Sequence, residues 1–224
     1  MIDVLLVDDH PVVRSGYARL LEAGGDIRVA AEAPDAEAGY TAYVQCTPKV
    51  TVTDLSLPGS SGIELIRRIR ARDTSARVLV FSVHDEAVVV DKAIQSGASG
   101  FISKRSAPEV LLEAVRAVAK GERYFSEDVR RVVEHRSPDA EREVINALSA
   151  REFEVFRLLA RGMSPAECAQ MLNLSQKTVA NYQALIKEKL NVSTSAALVH
   201  LALRLGVVSG TGPTQLLGPK DGNH

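Results

Sequence analysis

Ile2-Asp3-Val4-Leu5-Leu6-Val7-Asp8-Asp9 decides the fold: a run rich in branched apolar side chains that ends abruptly on two carboxylates. Such a run reads as a strand buried on both faces, as in a parallel sheet. Four more runs follow: Arg28-Val29-Ala30-Ala31, Val50-Thr51-Val52-Thr53, Val78-Leu79-Val80-Phe81 and Gly100-Phe101-Ile102. Between them apolar residues recur at three and four, as in Ile63 and Ile66, which turn inward beside Arg67 and Arg70. Ser106-Ala107-Pro108-Glu109 reads as a capping box opening a helix over Val110, Leu111, Ala114, Val115 and Val118. Five strands alternating with five helices predict an α/β doubly wound five-stranded parallel sheet over residues 1–120. A β-barrel would need turn signals where these helical patterns stand.

From Gly121 the pattern loosens, and residues 121–147 read as a linker with a short helix. No strand signal follows. Ser149-Ala150-Arg151-Glu152 and Ser164-Pro165-Ala166-Glu167 are capping boxes, Ser175 opens a third helix, and Ser193 is expected to cap a fourth that Gly206 ends. With a tight turn at Leu172-Asn173-Leu174, residues 148–208 predict an all-α four-helix helix-turn-helix domain. Residues 209–224 have no apolar face and read as a mobile tail.

Composition agrees with two ordinary globular domains: 224 residues, 46% hydrophobic and 25% charged. Two cysteines, Cys46 and Cys168, exclude a disulfide framework and fit a reducing compartment. No apolar stretch approaches the roughly 20 residues that span a bilayer, and the start lacks a basic signal-peptide region, so a cytoplasmic protein without membrane contact is expected. The net charge of −1 argues against a nucleic-acid partner, yet it averages −2 over residues 1–120, −2 over 121–148 and +3 over 149–224. A mildly basic helical end suits phosphate contact.

Asp8, Asp9 and Asp54 follow the first and third strands, at the carboxyl edge where ligands of such sheets bind. A single Asp there is more commonly a turn former or helix cap. Three together repel one another and call for a divalent cation, for which Mg2+ is the natural choice. Ser82 and Lys104, ending the fourth strand and following the fifth, offer a hydroxyl and an ammonium to phosphoryl oxygens. Asp54 is then placed as the nucleophile of an aspartyl phosphate. Thr51 and Thr53, inside the apolar third strand, need hydrogen-bond partners.

Val7-Asp8-Asp9-His10-Pro11, Asp54-Leu55-Ser56-Leu57-Pro58-Gly59, Gly62, Ser82, Gly97-Ala98, Gly100-Phe101 and Lys104 make residues 1–120 resemble a response-regulator receiver domain of flavodoxin-like fold. The resemblance implies that a sensor histidine kinase phosphorylates Asp54. It also implies that Asp8, Asp9 and Asp54 hold Mg2+ with the backbone carbonyl of Ser56, that Ser82 and Lys104 meet the phosphoryl group, and that Phe101 is an aromatic switch. By its position alone, Phe101 is a strand core residue. Val83 stands where a smaller residue is common, and Arg105 where many receivers have proline.

On the helix opened by Ser175, Val179, Tyr182, Ile186 and Leu190 share an apolar face, with Lys177, Ala180, Asn181, Ala184 and Glu188 opposite. Such a face usually meets solvent, but small and polar residues also suit base edges: Asn pairs with adenine and Ala touches a thymine methyl. Lys177 and Thr178, at the helix start, suit phosphates. Leu148 to Glu152, Val155, Leu158 to Ala160, Gly162, Ser164, Glu167, Leu174-Ser175, Lys177 to Val179, Lys189-Leu190, Val192-Ser193 and Gly206-Val207 resemble the LuxR-type domain, and the whole chain resembles the NarL/FixJ class. That likeness implies a homodimer on double-stranded DNA with contacts from Lys177, Thr178, Ala180, Asn181, Ala184 and Lys187. Ala180 and Ala184 stand where basic residues are common, and Gln176 where an acidic one is.

The leading expectation is therefore a phosphorylation-controlled transcription regulator, not an enzyme beyond self-catalysed phosphoryl transfer to Asp54. Phosphorylation would release the DNA-binding helix or favour a dimer. A phosphorylation-independent regulator and a Mg2+-dependent phosphotransferase are the alternatives; against the last, no second Asp lies two residues beyond Asp54.

Overall fold

The computed structural model describes residues 1–134 and 145–208. Five strands, β1 (Ile2–Val7), β2 (Ile27–Ala33), β3 (Val50–Thr53), β4 (Val78–Ser82) and β5 (Gly100–Ser103), alternate with α1 (Pro11–Glu22), α2 (Ala36–Cys46), α3 (Gly62–Arg72), α4 (Ala87–Gln95) and α5 (Pro108–Lys120). A short β6 (Tyr124–Phe125) and α6 (Glu127–Glu134) follow. The helical part contains α7 (Ala150–Ala160), α8 (Pro165–Met171), α9 (Gln176–Lys189) and α10 (Ser195–Arg204).

All strand pairs are parallel, in the order β2-β1-β3-β4-β5-β6. The chain reverses its winding between β1 and β3, which opens a crevice at their carboxyl ends. Period-two alternation sorts the side chains of these strands. Val4 and Leu6 join Leu111, Val115 and Val118 of α5 on one face, while Leu5 and Val7 join Ile66 and Ile69 of α3 on the other. The second cluster does not stop at the sheet. It continues through Val129, Ile145 and Leu148 to Phe153, Phe156, Val179 and Ile186 of the helical part.

The expected parallel sheet and helix-turn-helix are present, with differences of detail. The sheet has six strands, because Tyr124 and Phe125 pair with Gly100 and Phe101 inside the stretch read as linker. Two residues are too few to register as an apolar alternation. No capping box forms at Ser106: Ala107 is the N-cap of α5 without a side-chain bond, and Ser106 Oγ donates to Asp128 Oδ2 at 3.2 Å instead. Thr194, not Ser193, caps α10 by accepting from the Ala197 amide at 3.1 Å. The boxes at Ser149 and Ser164 are complete, each satisfying two otherwise orphaned amides. Asn173 makes the turn after α8 with φ of 52°, a left-handed conformation that Asn tolerates. Thr53 Oγ1 donates to the Asp54 carbonyl at 2.8 Å, whereas Thr51 Oγ1 is buried without a partner. The mobile-tail expectation for 209–224, and part of the linker, fall outside the described residues.

Candidate functional site

Strand register assembles the acidic pocket. Val7 pairs with Thr53 and Ser82 with Ser103, so the chain leaves the sheet at Asp8, Asp54 and Lys104 side by side. The Asp54 amide donates to the Val7 carbonyl at 2.9 Å and the Lys104 amide to the Ser82 carbonyl at 2.8 Å, extending the ladders one residue past the strands. Gly62, first in α3, allows this closeness: a Cβ there would lie 2.0 Å from the Asp54 carbonyl oxygen.

Four of the expected residues are bonded together. Lys104 Nζ donates to Asp8 Oδ2 and Asp54 Oδ2, each at 2.6 Å. Asp54 Oδ1 accepts from Ser82 Oγ at 2.7 Å and from the amides of Leu55 at 2.6 Å and Ser56 at 3.3 Å. Burial presses the Lys104 pKa down, but Asp54 and Asp8 outweigh it and hold the ammonium above its ordinary value.

Asp8, Asp9 and His10 bring possible ligand atoms within 4.8 Å of one another. Asp9 Oδ1 is buried without a hydrogen-bond partner, although His10 Nδ1 lies 2.8 Å away and forms an ion pair when protonated. Three carboxylates against one ammonium, with an orphaned hard oxygen among them, fit a hard divalent cation. Phe101 lies elsewhere, fully buried in the apolar cluster that also holds Val89 and Val90 of α4.

The second group of expected residues lies on α9. Ser175 caps it by accepting from the Thr178 amide at 3.0 Å, and the two hydroxyls lie 2.8 Å apart, which commits Thr178 to the cap. Val179 and Ile186 are buried and Tyr182 packs against them. Lys177, Ala180, Asn181 and Ala184 are exposed and Lys187 is half-buried.

Sequence reasoning missed the surface that joins the two groups. A crevice of about 380 Å3 is lined by Asp9, His10, Ser56 and His84 on one side and by Arg157 of α7 and its C-cap residue Arg161 on the other. Arg157 Nη2 donates to Ser56 Oγ at 3.3 Å, and Arg161 Nη2 lies 2.7 Å from His84 Nδ1. Arg151 donates to the carbonyls of Gly59 and Leu172, and Lys92 to those of Ile145 and Leu148. Burial, with Arg157 and Arg161 adding to it, pushes His84 down to about 3. Burial pushes Glu154 up to about 7 against the pull of Arg151, whose Nη1 lies 3.0 Å from its Oε2. The signal in the sequence was Arg151-Glu154-Arg157-Arg161, one charged stripe along α7 and its C-cap, beside the apolar residues Phe153, Val155, Phe156, Leu158 and Leu159. A stripe of that kind ordinarily meets water.

The receiver domain of response regulators matches residues 4–116, and the luxR family of bacterial regulatory proteins matches residues 146–202. The chain belongs to the two-component response regulators. More finely, it is a regulator of the NarL/FixJ type, with a receiver and a LuxR-type DNA-binding domain. It is 41% identical to the transcriptional activator protein ExaE of Pseudomonas putida, over 92% of this chain and 97% of that one. Its identity to the response regulator UvrY of Escherichia coli K12 is 35%, over 92% and 96%. Among solved structures, RcsB of Salmonella enterica serovar Typhimurium, bound to promoter rprA in the presence of the phosphomimetic BeF3−, aligns with a TM-score of 0.62 at 28% identity. That alignment covers 89% of this response regulator and 97% of RcsB. No helix among the described residues is long and apolar enough to cross a membrane.

Proposed function

We propose that a sensor histidine kinase phosphorylates Asp54 and that this controls sequence-specific binding of double-stranded DNA. The observation that carries the reading is the convergence of Asp54, Ser82 and Lys104 at 2.6–2.7 Å on the ends of three neighbouring strands. A carboxylate so held has one orientation toward an incoming phosphoryl group. In the transfer, an Asp54 oxygen bonds to phosphorus as the P–N bond of phosphohistidine breaks. The imidazole nitrogen keeps the electron pair and takes a proton. Lys104 and Ser82, with the Ser56 amide, then face phosphoryl oxygens in place of carboxylate oxygens. Asp8, Asp9, Asp54 and the Ser56 carbonyl would hold Mg2+, which when bound supplies charge neutralisation for the transferred group. The chemistry stops at this self-phosphorylation; the product is a regulator, not a released molecule.

Residues 1–120 act as the switch, 121–147 as the connection, 148–208 as the DNA reader and 209–224 as a tail, in a cytoplasmic protein that pairs on DNA. Lys177 and Thr178 approach phosphates at the helix start, and Ala180, Asn181, Ala184 and Lys187 follow the major groove. Docking gives the switch a route to the reader. Leu172 lines the crevice, and α9 begins four residues later, within about 14 Å of extended chain. A change in docking therefore reaches the start of α9 through four residues of chain.

Asp54→Asn tests the reading. With a small acyl phosphate and Mg2+, the parent chain gains one phosphoryl group by intact mass and its DNA affinity changes; the variant does neither. Exposure of Lys177, Asn181 and Ala184 in the docked arrangement favours a second reading, in which DNA binding needs no phosphate. Equal DNA affinity of both chains, with and without donor, would select it.

A further inference from the structure

A second cleft between the domains is larger and basic. It holds about 790 Å3, within the range of small-molecule sites, and lies between α3 and α4 of the receiver and the end of α9. Arg67, Arg68, Arg70, Lys92 and Lys189 line it, and among the described residues Glu64 is the only acid in its wall. Three of these cations have carboxylate partners: Arg67 pairs with Glu64 at 3.3 Å, Lys189 with Glu152 at 2.7 Å, and Arg68 with Glu37. Arg70 and Lys92 have no carboxylate within ion-pair distance among the described residues. Arg70 donates to the carbonyls of Thr74 and Ala76, and Lys92, only 8% exposed, to those of Ile145 and Leu148. Burial presses the Lys92 pKa down, and Arg67 and Lys189 add to it against the pull of Glu152. Neutral carbonyls leave a buried charge of this kind uncompensated. An ammonium carries three protons and a guanidinium five, so both side chains keep donors to spare after these bonds.

We propose that this cleft binds an oligophosphate, a chain of linked phosphates that is free or carried by a nucleotide. Several cations spread around one cavity suit a ligand with several anionic groups, and guanidinium forks match phosphate oxygens two at a time. Among the described residues no aromatic ring lines the cleft, so a base would find nothing to stack on and the phosphate chain is the part recognised. The site is separate from the DNA-reading end of the molecule. Lys189 closes α9 about 18 Å of helix away from Lys177. A ligand there draws on Arg67, Arg70 and Lys92 of the receiver and Lys189 of the reader together, and so braces one domain against the other.

The test titrates the full chain with sodium tripolyphosphate, without Mg2+, in a calorimeter. Orthophosphate, which spans fewer cations, should bind about a hundredfold more weakly, the loss of two charge-assisted contacts. ATP and GTP separate the sources: affinities equal to that of tripolyphosphate point to the bare chain, and tighter binding of one of them to a nucleotide. Lys92→Met and Lys189→Met, one in each domain, should each weaken tripolyphosphate binding about tenfold. Arg67→Gln changes a side chain that is 54% exposed, should weaken it similarly, and carries the comparison if the Lys92 variant does not fold. Lys177→Ala should stay within about twofold of the parent, because its charge lies outside the cleft. No binding by the parent at about 1 mM tripolyphosphate overturns the inference. Equal affinity of the parent and the three cleft variants overturns it too. So does a loss in Lys177→Ala as large as theirs, since the anion would then sit on the DNA-reading face.

Discussion

Glu154 and His84 line the same crevice with opposite proton preferences, which leads to a pH experiment with a worked slope. Glu154 is pushed from 4.5 up to about 7, by burial first and with Glu64 adding to it. The fold therefore favours its neutral form. That stabilisation is complete below pH 4.5 and is lost as the pH rises to about 7. His84 is pushed from 6.5 down to about 3, and its stabilisation is complete above 6.5 and lost as the pH falls. Each group holds one proton in only one of the two states within its window, which gives a slope of about 1.4 kcal/mol per pH unit, the upper value for the partly open His84. Between pH 4.5 and 6.5 the two slopes oppose and nearly cancel. Glu154→Gln removes one of them. The variant should lose about 2 kcal/mol relative to the parent on going from about pH 6.5 to 5, and His84→Gln should gain about as much. Urea unfolding followed by circular dichroism at several pH values in this window reads the slopes. Offsets will differ, because Glu154→Gln also weakens the bond to Arg151, but the slopes are unaffected by an offset. Three parallel profiles would refute the reasoning.

Three further outcomes follow from the contacts. Lys104→Ala leaves Asp8 and Asp54 buried without their shared cation; a cost of about 3–5 kcal/mol is expected in thermal melts, partly recovered by Mg2+, with slower labelling of Asp54. Gly62→Ala puts a methyl 2.0 Å from the Asp54 carbonyl and should cost about 1–3 kcal/mol in urea unfolding and displace the acceptor loop. Lys177→Ala should weaken binding evenly across DNA sequences and reduce the salt slope by about one, while Asn181→Ala should relax preference at one base pair by about 1–3 kcal/mol. An unchanged salt slope for Lys177→Ala, or an unchanged sequence preference for Asn181→Ala, would remove that residue from the interface.

The five main strands, the helix-turn-helix and the residues around Asp54 were legible because each rests on a local pattern. Apolar runs ended on carboxylates, and capping boxes at Ser149 and Ser164 sat beside periodic helices. Where two local signals competed, sequence alone chose badly: Ser106 stands one residue before the real cap at Ala107, and Ser193 one before Thr194. Side-chain geometry, not composition, decides between neighbours of similar type. The crevice was illegible for a different reason. Arg157 and Glu154 have the periodicity of a solvated stripe, and nothing in a helix pattern says that another domain will cover it.

The apolar cluster that runs from Val80 through Leu148 to Val179 has a consequence for anyone building chimaeric sensors. Receiver and reader are usually regarded as cassettes to be cut and rejoined at the connecting segment. Here Lys92 of α4 satisfies the carbonyls of Ile145 and Leu148, just before α7 begins. A junction placed between residues 121 and 148 would therefore divide one packed body, leaving an α4 lysine without its acceptors and a new reader without its seat. The exchangeable unit is the reader together with the receiver face that it rests on.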